Sequence, residues 1–199
     1  MTESPLRFKF NAKKAAQAAG KLLSLSGGER NYMELLKLLY LADRLALVQL
    51  GAPITGDRFY SLPHGPVLSR ILNLINHGPI NENDAPWFDV VSPPVGYDVK
   101  QLRDIGEDEL SNAEARILLE VFSSYGNLDW KELSRFTHGL PEWIDPGMGS
   151  HPISVEQVLL LSGKSDETIR RIKQNQRLFE QLDREIESYE LVADFEELQ

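Results

Sequence analysis

Apolar residues occupy nearly every face of the segment from Tyr32 to Leu50 if that segment is helical. A helix at a domain surface has an apolar stripe and a polar face, whereas a helix that is apolar all round lies inside the domain. Gly51 follows at the position where a left-handed glycine commonly ends a helix. The sequence therefore predicts a domain built around one central, buried helix.

Shorter helical and strand patterns surround this segment. Ser111 with Glu114, and Asp129 with Glu132, have the spacing of capping boxes and mark two helix starts. Apolar periodicity predicts helices over 11–25, 32–50, 66–78, 112–125, 129–139 and 166–194. Ser154 with Gln157 marks the start of another helix, which contains 158–161 and ends at Gly163. Short strands are predicted over 58–62, 87–91 and 97–102, and 140–152 is expected to be irregular.

These elements predict the fold class. Pro66 is expected in the first turn of the third helix, because its missing N–H is unpaired there in any case. The fold is then mainly α with a small antiparallel β-sheet (α+β): a compact helical domain with two or three strands and a long C-terminal helix. We expect a domain over 1–150 and a helical extension over 151–199 that packs on the domain or on a partner.

Charge is unevenly distributed along the 199 residues. The 21 Lys and Arg against 30 Asp and Glu give a net charge of −9, and residues 1–30 carry +4 (six bases minus two acids), so the remainder carries −13. From Glu185 onward there are six acids and no base. Nucleic-acid binding needs clustered bases that displace counterions, so it is not expected. The acidic end predicts either a solvated helix terminus or a surface complementary to a basic partner.

The absence of cysteine excludes disulfides, thiolate zinc sites and cysteine nucleophiles. No stretch approaches the roughly 20 apolar residues of a membrane-spanning helix. Residues 1–10 lack the continuous apolar core of a signal peptide. We therefore expect a cytoplasmic protein that neither crosses a membrane nor is secreted.

Residue patterns typical of catalysis are missing from the sequence. Neither a phosphate-binding glycine loop nor a G-x-S-x-G motif occurs. None of the four histidines has the spacing of a helical metal motif: His64, His77, His138 and His151. No catalytic residue, metal or cofactor is therefore predicted. A metal-assisted hydrolase that uses Asp43, Asp57, His64 and His138 stays open as an alternative.

Asp43 is an unusual carboxylate, because a helix over 32–50 would surround it with apolar residues three and four positions away. An unpaired buried carboxylate is costly. Asp43 is therefore expected to anchor the following turn by accepting hydrogen bonds from backbone N–H groups or from a side chain such as Arg58 or His64. Asp57 follows Gly56 in a turn, where aspartate commonly bonds the backbone two residues on.

The last predicted helix has a seven-residue apolar repeat. Its two lines are Ile172, Phe179, Ile186 and Ala193, and three positions later Asn175, Leu182 and Tyr189. Such a seam packs on its own domain or on another chain, including a second copy. Phe179 and Tyr189 are thus candidates for partner binding. Tyr60, His64 and Trp143 are further candidates, as aromatic or polar-tipped residues beside loops, with the rim of the core as the alternative.

Several short segments occur in a specific order. They are KLLYLAD (37–43), GAPITGD (51–57) with Phe59-Tyr60, HGPV (64–67), SNAE (111–114), Tyr125-Gly126, ELS (132–134), Thr137-His138 and Trp143. Together, over roughly residues 33–143, these segments resemble the Panacea domain, also called the SocA-like or GepA-like phage-associated domain.

This resemblance implies a mainly helical antitoxin that has a small sheet and no established catalytic residues. Such a protein binds a toxin encoded beside it and holds it inactive, and some relatives pass the toxin to a cellular protease. The shared residues are then scaffold: Asp43, Gly56, Asp57, Gly65 and Pro66. The partner is a cognate toxin, a basic one if it complements this acidic chain. A phage-associated interaction or proteolytic-adaptor protein without its own toxin is the alternative.

Overall fold

The computed structural model describes residues 5–104 and 106–197, with side chains up to residue 186. The elements, in chain order, are α1 (Ala12–Leu25), β1 (Glu29–Asn31), α2 (Tyr32–Leu50), β2 (Phe59–Leu62), β3 (Gly65–Leu68), α3 (Ser69–His77), a 3₁₀ turn (Glu82–Asp84), α4 (Ala85–Val90), β4 (Asp98–Lys100), α5 (Asn112–Tyr125), α6 (Trp130–His138), β5 (His151–Ile153), α7 (Val155–Leu161) and α8 (Asp166–Glu197). The predicted fold class, mainly α with small antiparallel sheets and a long C-terminal helix, is confirmed. Within the described residues, no helix is both long and apolar enough to span a bilayer.

Helix α2 lies at the centre of the domain, as its apolar pattern predicts. Leu36 and Leu39 are fully buried, and α1, α5, α6, α7 and β3 all pack against the helix. Gly51, with a φ of +85°, ends α2 in the left-handed conformation. Two polar side chains, Lys37 and Asp43, are buried with the leucines of this helix, so each needs a hydrogen-bond partner.

Two small antiparallel sheets flank α2. In one, β1 pairs with β4, and Arg30 lies opposite Val99. The other has the order β3-β2-β5, and Ser61 lies opposite Pro66 on one side and His151 on the other. Strand β5 thus joins residues 151–153 to a sheet formed by the preceding part of the chain. The division into 1–150 and 151–199 stays a prediction.

The strand predicted over 87–91 is wrong, since these residues belong mainly to helix α4. Trp87 and Val90 are each 1% exposed, and the spacing of three places both on the helix face that packs against α1. A short apolar run fits a strand or a buried helix equally well by periodicity alone. The local signal for a helix was Pro86, which lies in the first turn of α4.

The position predicted for Pro66 is also wrong, because Pro66 lies in β3 and α3 begins only at Ser69. β3 is an edge strand of its sheet, and an edge strand tolerates the missing N–H of proline. The segment 140–152, expected to be irregular, ends in β5. Likewise, the strand expected over 97–102 is limited to β4, residues 98–100.

Candidate partner-binding site

The turn between β2 and β3 is held by side chains from three distant parts of the chain. A polar backbone that is withdrawn from water requires hydrogen-bond partners, and three carbonyl groups of residues 62–66 each accept a hydrogen bond from a side chain. The bonds run from Trp143 Nε1 to Leu62 O at 3.2 Å, from Ser134 Oγ to His64 O at 2.9 Å and from Lys37 Nζ to Pro66 O at 2.8 Å. Residues 62–66 with these three donors are called the clamped hairpin below.

Gly65 allows the hairpin to approach helices α2 and α6 closely. Its φ is +97°, in the region that favours glycine. A Cβ atom at this position would lie 2.7 Å from Thr137 Oγ1 and 2.8 Å from Lys37 Nζ, well inside van der Waals contact. Both the backbone conformation and the available space therefore require glycine here.

Lys37 supplies a buried amine to the clamped hairpin. The residue is 1% exposed, and burial lowers the pKa of Lys37 to about 7, because removing water disfavours the ammonium form. The amine can donate to the Pro66 carbonyl in either protonation state. Near neutral pH, the charge inside the hairpin therefore changes with small changes in pH.

His138 lies between the clamped hairpin and Trp143. The imidazole ring stacks on the Trp143 ring with centroids 4.2 Å apart and interacts with the carbonyl of Pro63. Burial lowers the pKa of His138, and the nearby charge of Lys37 lowers it further. Its Nε2 atom is buried and has no hydrogen-bond partner among the described residues, which fits a neutral ring.

The hairpin presents an aromatic surface to solvent. The His64 side chain is exposed and meets the edge of Trp130 at a centroid distance of 6.1 Å. Trp143 is half-buried beside His138. We call His64, Trp130 and Trp143 the aromatic face. The clamp fixes the backbone at His64, and the hydrogen bond from Trp143 Nε1 to Leu62 O restrains the Trp143 ring.

A buried acid holds the segment that carries Trp143. Glu142 is fully buried and accepts hydrogen bonds from Tyr40 Oη at 2.8 Å and Arg44 Nε at 2.6 Å. Both donors belong to α2, so Glu142 ties the chain after α6 to the central helix. A charge buried in this way is stable only because its donors surround it.

Asp43 accepts hydrogen bonds from the following turn, from Thr55 and from the backbone of Ile54. Its carboxylate is fully buried and receives the Thr55 backbone N–H at 3.0 Å and the Thr55 hydroxyl at 2.5 Å. A backbone donor was expected, but the side-chain donor is Thr55 instead of Arg58 or His64. Burial raises the pKa of Asp43 to about 7, since the ionised form loses its water.

Asp57 caps α3 from a distant position. Its carboxylate accepts from the backbone N–H groups of Arg58, Arg70 and Ile71 at 2.6, 2.9 and 2.9 Å, so the expected bond to the amide two residues on is replaced by these three. The N-cap position of α3 itself makes no side-chain hydrogen bond. Burial raises the pKa of Asp57 to about 6.

Gly56, just before Asp57, lies directly under the N-terminal segment. Its φ is +71°, and a Cβ atom there would lie 2.2 Å from the Lys9 carbonyl oxygen. The Asn11 backbone N–H donates to Thr55 O at 3.0 Å on the same crossing. A side chain at position 56 would therefore displace the N-terminal segment from this turn.

The other candidate residues lie away from the hairpin turn. Tyr60 is half-buried and lines a groove with Phe8 and Pro152. Phe179 is on α8 and 63% exposed, and Tyr189 lies outside the residues with described side chains. The structure thus places His64 against Trp130, Trp143 against His138 and the Leu62 carbonyl, and Tyr60 and Phe179 elsewhere.

The hydrolase alternative required Asp43, Asp57, His64 and His138 to converge. The carboxylates bond to turn and helix amides, while His64 lies in the hairpin turn and His138 packs against it. Among the residues with described side chains, no group of three or more His, Asp or Glu could hold a metal ion. The arrangement of these four residues therefore gives the alternative no support.

A protein-family model matches the chain. The family model described as "Antitoxin SocA-like, Panacea domain" matches residues 35–144, more than half of the chain. All three donors of the clamped hairpin, together with Gly65 and Glu142, fall inside this range. No curated protein and no solved structure matches the chain. Because the match covers more than half of the sequence, the chain belongs to the SocA-like Panacea domain family.

Proposed function

We propose that this protein is an antitoxin that neutralises a protein toxin by binding it directly. The observation that carries the proposal is the match of residues 35–144 to an antitoxin domain. The matched range contains the clamped hairpin, which supplies a rigid structure from which a surface can be presented. We place the toxin on the aromatic face, His64, Trp130 and Trp143.

Rigid aromatic side chains suit this role. Residues that dominate protein interfaces are often aromatic, and their contribution is greatest where little conformational entropy is lost on binding. The hydrogen bond from Trp143 Nε1 and the ring contact between His64 and Trp130 restrain the aromatic face in the free protein. Reducing the free toxin about a thousandfold requires only about 4 kcal/mol more binding free energy than is needed to bind half of the toxin.

The charge of the chain favours a basic toxin. A net charge of −9 produces a negative field that accelerates association with a positive partner and disfavours an acidic one. A chain without cysteine needs no oxidising compartment, which fits a toxin and antitoxin pair in the cytoplasm.

The experiment is co-expression with the product of the neighbouring gene. That product alone should stop growth, and the full antitoxin chain should restore growth and co-purify with it. The double variant His64→Ala/Trp130→Ala should weaken binding by about tenfold or more. The matched control is Tyr97→Ala, which removes an exposed aromatic ring that stacks on Tyr32 beside β4 and should leave binding unchanged.

Two results would contradict the proposal. If the neighbouring product is harmless, or is toxic but does not bind the wild-type chain, the antitoxin function is wrong. If it binds but the double variant at residues 64 and 130 binds equally well, the function stands and the aromatic face is not the contact surface.

A further inference from the structure

Helix α8 carries an apolar stripe that the domain does not cover. Its first turns are packed, because Ile169 is buried and Ile172 contacts the core near Gly51. Each residue from 177 to 186, by contrast, is exposed. Four of these exposed residues are apolar, with more than half of their surface in water: Leu178, Phe179, Leu182 and Ile186. They are called the α8 stripe below.

The charged residues beside the stripe are acidic. If Phe179 occupies position a of the seven-residue repeat and Leu182 position d, the flanking e and g positions hold Asp183 and Glu185, and the next e position is Glu190. The bases of this stretch, Arg177 and Arg184, fall at position f, on the far side of the helix from the seam. The apolar seam is thus bordered by negative charge alone.

This charge pattern disfavours a second copy as the occupant. In a parallel pair, position g of one helix faces the following e position of the other, so Glu185 would oppose Glu190. In an antiparallel pair, e faces e and g faces g, and acids again meet acids. Either orientation places like charges together along an apolar seam. A helix with basic flanks replaces each of these repulsions by an attraction.

The space beside the stripe is open to a partner. Asp183 lines a cleft of about 850 Å³ together with Phe10, Lys13 and Pro86. The cleft separates this part of α8 from the start of α1. Lys9 and Glu82 also line the cleft. The Lys13 amine is already paired with Asp108 and Glu109 at 2.8 and 3.0 Å, so Asp183 stays accessible to a basic helix that packs on the stripe.

We propose that the α8 stripe binds an amphipathic helix whose apolar face is bordered by Lys and Arg. The inference rests on the proposed function, since it assigns that helix to the toxin. It gives the antitoxin a second contact surface, on a different element from the aromatic face. The apolar seam supplies burial, and Asp183 and Glu185 select against acidic helices.

The surface can be tested without the toxin. Two synthetic three-heptad peptides are used, both with Leu at a and d, one with Lys and one with Glu at e and g. In low salt, the full chain should bind the Lys peptide at least about tenfold more tightly than the Glu peptide. Phe179→Ser/Leu182→Ser should reduce that binding about tenfold, and Asp183→Lys/Glu185→Lys should reverse the preference. Leu160→Ser, an exposed leucine of α7, is the control and should change nothing.

Other results would overturn the inference. Equal affinity for both peptides, or undiminished binding by the double serine variant, would do so. So would a dimer of the wild-type chain in sedimentation that Phe179→Ser/Leu182→Ser dissociates, because the stripe would then be the contact between two copies.

The same variants separate this inference from the proposed function. Growth rescue by the wild-type chain tests the function. If the wild type rescues and the double serine variant binds the toxin with unchanged affinity, the α8 stripe is excluded and the function stands. If the wild-type chain does not rescue growth, the proposed antitoxin function is wrong whatever the peptides show. The assignment of the bound helix to a toxin is then wrong as well.

Discussion

Lys37→Met tests whether a neutral amine lies beneath the clamped hairpin. Burial lowers the pKa of Lys37 from 10.5 to about 7, so above neutrality the folded amine is mostly uncharged while the unfolded amine keeps its proton. Unfolding then takes up nearly one proton, and stability rises with pH. This stabilising contribution is full above pH 10.5 and is lost as the pH falls through about 7.

The magnitude follows from the proton balance. Each pH unit is worth about 1.4 kcal/mol per proton, so wild-type stability relative to the variant should rise by about 2.5 kcal/mol between about pH 7.5 and 9.5. At pH 7 the variant should be more stable than the wild type by roughly 1–3 kcal/mol, because folding with the Lys37 amine costs about 4 kcal/mol at that pH. The variant leaves the Pro66 carbonyl without its donor, which costs roughly 1–3 kcal/mol of stability, but it also removes the free-energy cost of deprotonating the amine on folding.

Urea unfolding of the wild type and of Lys37→Met between about pH 7.5 and 9.5 measures the difference in their free energies of unfolding. The contributions of the other titrating groups cancel in this difference. Lys131→Met, at an exposed lysine of α6, is the control and should give a flat difference. A flat difference for Lys37→Met as well would refute the reasoning, because it would mean that the buried amine keeps its proton through water or a counter-charge.

Three further substitutions test the groups around the hairpin and α2. Gly65→Ala should destabilise the fold by about 3 kcal/mol, from backbone strain and overpacking together. The control Gly163→Ala should cost less, because Gly163 has a φ of +82° but open space around it. Equal losses of stability would mean that the approach of Gly65 to Thr137 is not tight. Glu142→Ala should cost roughly 3–5 kcal/mol by stranding Arg44 and Tyr40, whereas Glu107→Ala, in an exposed pair with Lys21, should cost under about 1 kcal/mol in the same urea titration. Asp43→Ala should lower the free energy of unfolding by about 3 kcal/mol, because it leaves Thr55 unpaired. Since burial raises the pKa of Asp43 from 3.8 to about 7, the wild type's extra stability over the variant should shrink as the pH rises from about 4 to 7. If thermal melts show a constant difference in stability over this range, the carboxylate is ionised throughout.

Local patterns predicted the parts of the fold that local forces determine. The capping boxes at Ser111 and Asp129 form as expected and start α5 and α6. α2 is buried because its apolar residues leave it no surface face. The prediction is wrong where tertiary packing determines the secondary structure. α4 is helical because Trp87 and Val90 both pack against α1, and that contact cannot be predicted from the periodicity of a five-residue apolar run.

The clamped hairpin could not be predicted from local patterns. Its donors lie 29, 70 and 81 positions from the carbonyls that they bind, and no periodicity spans such distances. Only Lys37 could have been recognised from the sequence, because a lysine within a helix that is apolar on all faces is expected to be buried with its neighbours. Glu142 left no such signal, because it lies in a proline-containing segment without a repeat.

The segments that carry the family resemblance include most residues of the clamped hairpin. Five of the quoted segments contribute a group to this turn: Lys37 from the central helix, Gly65 from the turn itself, Ser134 and His138 from α6, and Trp143 from the segment after α6. Separately these are ordinary residues, but together they hold one turn, and losing Lys37 would leave the buried Pro66 carbonyl unpaired. The exposed side chains of His64 and Trp130 are under no such mutual requirement. Of the aromatic face, His64 and Trp143 belong to the ordered motifs and Trp130 does not, and the variants at residues 64 and 130 test whether this surface binds the partner.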